Sequence, residues 1–220
     1  MSIICAMPEK ITAKDVKKKL TISPTSETIL RTYPPITCIA NGESVLHEEG
    51  HVVRVMLYAD MLCNILESKG ISVNRHAVLS AIRIHDSYRR TDYDEEESHG
   101  LVAAVASEIA GNFTEDPDAD YIHFLTTWHS ENDKDVSLKG NVTFPIELAV
   151  LKDADALDRF RDQYLGVEGE GLDKDFLRLE ESNDLVSIAE ELNQRYFSNG
   201  VQRQPLESVI EIGKEMGIVC

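Results

Sequence analysis

Residues 81–100 read AIRIHDSYRRTDYDEEESHG. The stretch ends an apolar run with His85-Asp86, then carries an arginine pair, an acidic patch and His99-Gly100. An imidazole and a carboxylate closing a segment that should be buried are costly there without a partner. A divalent metal satisfies both at once, because neutral imidazole and ionised carboxylate are its ordinary nitrogen and oxygen ligands. The pattern just upstream is helical. Asn74 caps a helix predicted from Arg75 to about Asp86, with Val78, Ala81-Ile82 and His85 in register. His85 therefore faces inward from the end of its helix, and residues 87–96, too polar for a core helix, form a loop around whatever the pair binds.

On the N-terminal side, the spacing predicts a helix from about Ser44 to Ser68, stopped by Lys69-Gly70. Its core stripe is His51, Val55, Tyr58, Leu62 and Ile65-Leu66, so His51 is core-facing, with His47 one turn earlier on the same side. On the C-terminal side, a helix over about Ser98–Gly111 is rich in alanine and holds His99 in its first turn. Asp116-Pro117 opens the next, to about Ser130, with Ile122, Leu125-Thr126 and His129 in register. His76 and His123 read as surface residues. A further helix, Thr143 to Phe160, places Asp153 on the stripe of Ile146 and Ala149-Val150, and Arg159 reads as the partner of an aspartate in its own helix. The segments from about Asp173 to Phe197 and Pro205 to Gly217 are amphipathic helices. With no repeat and no convincing strand, the fold class is all-α. Residues 1–40 read as an extension laid on the domain of residues 41–220, with a short basic helix at Lys10–Lys19.

Composition narrows the partners. A hydrophobic share of 42% with 12 Gly and 7 Pro suits a real core. A net charge of -17 argues against a nucleic-acid polymer or an anionic membrane as partner. A phosphate-bearing substrate must then be met by local cations, and Arg83, Arg89 and Arg90 stand beside the His-Asp pair. The four cysteines, Cys5, Cys38, Cys63 and Cys220, form no CxxC pair, and Cys63 reads as a core residue. No apolar run reaches membrane-spanning length, so the expectation is a soluble, cytoplasmic protein.

The order H…HD…D formed by His51, His85, Asp86 and Asp153 resembles the HD-domain superfamily of metal-dependent phosphohydrolases. Three pieces between His47 and Arg161 carry the resemblance: HEEGHVVRV, IHDSYRRTDYDEEESHG and LKDADALDRFR. It implies a helical bundle holding a divalent ion, Mn, Fe, Ni, Co or Mg, on His51, His85, Asp86 and Asp153. It further implies hydrolysis of a nucleotide or other small phosphate ester by metal-activated water. Read singly, each of these four residues also fits a satisfied core hydrogen-bond network. Arg89 is either a phosphate clamp or the partner of Asp92 and Asp94. His99 and His129 are either ligands of a second metal, donors to substrate phosphate, or packing residues; the expectation is one ion, with both histidines donating to the phosphate. Two other functions remain open: a dinuclear-iron oxygenase, and a non-catalytic binding or regulatory protein stabilised by its metal.

Overall fold

The computed structural model describes residues 23–36, 46–89, 98–140, 143–166, 171–198 and 206–220. The expected Lys10–Lys19 helix, Ser44 and residues 90–96 of the expected loop 87–96 lie outside them. All regular elements are helical, and the one β feature among the described residues is an isolated parallel bridge between Thr25 and Val219. The short helix α1 (Glu27–Thr32) is capped by the Ser26 hydroxyl and seats Leu30, wholly buried, against the rest of the chain. The N-terminal piece is thus part of the core as well as the surface. The bridge ties it to the C-terminus, with Thr25 N donating to Ile218 O and Cys220 N to Thr25 O.

The long helix α2 (Glu49–Ser68) is the axis of the fold, and every residue from Gly50 to Cys63 is buried. A helix apolar on all sides belongs in the interior, so the single stripe expected from spacing is only part of a fully wrapped surface. Its end falls as expected, with Lys69 as cap and Gly70 at φ 80°. Its start is later than Ser44, which leaves His47 in the bend that leads into the helix. Around it pack α3 (Arg75–Ile82), α7 (Ile146–Leu157), α9 (Ser182–Phe197) and α10 (Leu206–Glu215), while α4 (His99–Ile109) and α5 (Ala119–Trp128) pair at one end against α3. Two minor helices, α6 (Asp133–Gly140) and α8 (Asp162–Leu165), complete the set.

Among the predicted boundaries that differ, three have a local reason. Asn74 caps α3 through Ala77 N, but the helix ends at Ile82. The chain then tightens, with Ile84, His85 and Ser87 donating backbone bonds three residues back. The His85-Asp86 pair sits on this tightened turn. The Asp116 side chain is engaged by Asp118 N and His76, so α5 begins at Ala119. The helix expected from Asp173 is broken: a turn of 3₁₀ helix at Lys174–Phe176 and an extended stretch precede α9. No described helix is long and apolar enough to cross a membrane.

Candidate metal centre

Four elements bring their polar residues to one buried point. His51 comes from the first turn of α2, His85 and Asp86 from the turn after α3, Asp155 from the last turn of α7, and His129 from the C-terminus of α5. His51 Nε2 lies 3.3 Å from His85 Nε2, 3.3 Å from Asp86 Oδ2 and 3.5 Å from Asp155 Oδ1. His85 Nε2 lies 3.2 Å from Asp86 Oδ2 and 3.9 Å from Asp155 Oδ1. Donors bonded to one ion at about 2.0–2.2 Å sit roughly 3–3.6 Å apart at neighbouring positions, so the spacing of the set suits a shared cation.

The hydrogen bonds behind the rings fix which nitrogen faces inward. His85 Nδ1 donates to Ile82 O at 2.7 Å, and His129 Nδ1 to Thr126 O at 2.6 Å. A carbonyl can only accept, so both rings turn Nε2 to the centre. His51 Nδ1 donates to Asp158 Oδ2 at 2.8 Å. Asp158 is in turn gripped by Arg54 through Nε at 2.7 Å and Nη2 at 3.0 Å, and by Arg161 at 3.2 Å. Arg54 itself lies under the Tyr196 ring, 4.4 Å from its centroid. An imidazole oriented from behind by a carboxylate or carbonyl is the usual support of a metal ligand.

Charge follows the same plan. Burial pushes the Asp86 and Asp155 carboxyls up, but the facing imidazoles outweigh it and hold both well below the ordinary range. Burial alone would lower His85, yet Asp86 and Asp155 push it up to about 10. His47 and His129 are pushed down to about 4, chiefly by burial, and are neutral at pH 7. His47 Nδ1 lies 2.7 Å from Asp86 Oδ2 and steadies that carboxylate. The other oxygen, Asp86 Oδ1, is buried and accepts no hydrogen bond. His99 Nε2 lies 3.2 Å from it, His129 Nε2 3.8 Å and Arg89 Nη1 3.8 Å. The two histidine nitrogens are 3.0 Å apart.

Of the residues expected at the site, His51, His85, Asp86, His99 and His129 meet, and Arg89 stands at the edge. Asp153 does not join them. Its carboxylate points the other way and accepts from Arg178 N, Leu179 N and Ser182 Oγ at 2.7–3.0 Å. Asp155, two residues on, takes the place assigned to it. The inward stripe that favoured Asp153 does not select a face, because Leu148, Val150, Leu151, Ala154 and Leu157 are all wholly buried around α7. His129, expected to donate to phosphate, has its Nδ1–H bonded to Thr126 O, and as a neutral ring it presents a lone pair inward. The roles of His47, Arg54 and Asp158 went unread in the sequence; HEEGHVVRV and LDRFR hold them, but only contact shows their pairing. His76 is exposed, as expected, beside Asp116, whereas His123 is half-buried beside Glu108. Comparison of the chain with protein-family models, with curated proteins and with solved structures gave no match.

Proposed function

We propose that this protein is a metal-dependent phosphohydrolase acting on a small phosphate ester. The observation that carries the reading is the convergence of His51 Nε2, His85 Nε2, Asp86 Oδ2 and Asp155 Oδ1. The same order, H…HD…D, underlies the resemblance to HD-domain phosphohydrolases once Asp155 replaces Asp153. A divalent ion held by His51, His85, Asp86 and Asp155 would supply Lewis acidity toward water and a phosphoryl oxygen. The chain's own groups do the rest. Asp158 and the Ile82 carbonyl orient the imidazoles, His47 steadies Asp86, and Arg89 offers a cation beside Asp86. Water adds to phosphorus, the bond to the ester oxygen breaks, and the alcohol leaves with a proton, with no protein nucleophile required. Phosphate release from a panel of monoesters and diesters, with Mn, Fe, Co, Ni or Mg supplied, tests this. Turnover that disappears in both His85→Ala and Asp155→Ala supports it; no release with any metal, or turnover surviving both changes, sinks it.

A second reading is favoured by Asp86 Oδ1. With His99 Nε2 and His129 Nε2 beside it, that oxygen makes a second donor set, and Asp86 would bridge two ions. Such a pair suits hydrolysis and, with iron, oxygen activation. Metal analysis separates the possibilities: two ions per chain, falling to one in His129→Ala, favours the paired centre, and a coupled iron pair favours the oxygenase.

A further inference from the structure

A cavity of about 160 Å³ opens directly onto the metal centre, with Asp155 and His129 in its wall. Its other lining residues divide by chemistry. Lys152, Arg159 and Arg178 bring positive charge, Asp173 a carboxylate turned to Asp175 N, and Ala156, Leu172 and Phe176 an apolar wall. Two of the three cations are already engaged. Lys152 is bonded to Asp133 and Glu131 O, and Arg178 to Asp133 and Asp153. Arg159 forms no hydrogen bond or ion pair among the described residues; Asp162 lies within reach of Arg161 and feels the charge of Arg159 only at longer range. Arg159 lies on the 3₁₀ turn, Asp158–Arg161, that follows α7. Arg159 and Asp155 thus share one cavity wall, and the Arg159 guanidinium is open to an anion there.

Phe176 is the one aromatic among the described large apolar residues that are well exposed, at 66%. It is nonetheless held on a built element. Phe176 N donates to Asp173 O, and Arg178 Nη1 donates to Phe176 O at 3.1 Å. The next two residues but one, Arg178 and Leu179, are pinned by the Asp153 carboxylate. An anchored, solvent-facing ring at the mouth of a cavity with a cation is a stacking surface for a planar group.

We propose that this cavity is the substrate pocket and selects phosphate monoesters whose leaving group carries a planar ring, Arg159 holding phosphate oxygens and Phe176 stacking on the ring. The inference rests on the phosphohydrolase reading for the word substrate, but its recognition chemistry is measurable without turnover. Non-hydrolysable phosphonates provide the probes: phenylphosphonate, the methylene-phosphonate analogue of adenosine 5′-monophosphate, and propylphosphonate as the ringless control. Binding to the Mn-loaded protein is followed by calorimetry. At least one ring-bearing probe should bind about tenfold more tightly than propylphosphonate, in line with the gain from stacking on an aromatic side chain. Phe176→Ala should erase that preference and leave propylphosphonate unchanged, whereas Arg159→Ala should weaken all three by about tenfold or more. Which ring probe is preferred tells a nucleoside from a simple aryl ester. Equal binding of ring-bearing and ringless probes, retention of the preference in Phe176→Ala, or no binding of any probe overturns the proposal. Ring-selective binding without phosphate release would leave the pocket standing and remove the hydrolase reading.

Discussion

Asp158 takes no place among the inward-facing donors, yet their geometry depends on it. It accepts from His51, Arg54 and Arg161, and these cations and the imidazole hold its carboxyl below the usual range although burial works against that. Breaking such a buried, charged contact is costly, of the order of 3–5 kcal/mol. The two aspartates of α7 divide labour just as sharply, one facing the imidazoles and one the segment before α9. Asp155→Ala should weaken metal binding by more than the about 10–100-fold typical for loss of an outer-shell partner. Asp153→Ala should keep the wild-type metal content but lose about 2–4 kcal/mol of stability, since two backbone N–H groups and the Ser182 hydroxyl lose their acceptor. Metal analysis and urea denaturation of the two variants check this; equal metal loss in both would contradict the division.

At the scale of elements, the close approach of α4 to α5 decides whether His99 and His129 meet. Gly100 permits it. A Cβ there would lie 2.4 Å from Thr126 O, 2.9 Å from Thr127 O and 2.8 Å from His129 Nδ1. Two of these neighbours are backbone atoms at the end of α5 and cannot swing aside. The residue before His99, Ser98, sits at φ 108°, a region that non-glycine residues rarely adopt, so the entry to α4 is shaped by its packing. Gly100→Ala should force the helices apart, cost about 1–3 kcal/mol as overpacking does, and separate the two histidines. If Asp86 bridges two ions, the same variant should retain one ion and lose the other. Thermal melts and metal stoichiometry measure the two effects, and an unaltered melting temperature would show that the contact is not tight in solution.

At the scale of the molecule, the centre joins α2, α5, α7 and the turn after α3, so an ion there ties together elements far apart in sequence. Binding confined to the folded state stabilises by about 2.7 kcal/mol when free metal stands at a hundred times its Kd. Chelation should therefore lower Tm in the native protein and leave His85→Ala nearly unaffected, as scanning calorimetry with and without chelator would show. An equal chelator response in both proteins would place the stabilising ion elsewhere.

The sequence by itself determined the all-α class, the course of α2, the Asn74 cap, and the inward aim of His51, His85 and His129. These follow from spacing and capping, which act within one or two turns of chain. The tertiary structure alone decided between Asp153 and Asp155, because α7 is buried on several sides and its periodicity points to no single partner. It likewise decided the break before α9, where an aspartate from α7 captures backbone N–H groups more than twenty residues away, and the pairing of Arg54 with Asp158 across 104 residues. Such contacts depend on where other helices stop and how closely glycines let them pack, and no local pattern in the chain encodes that.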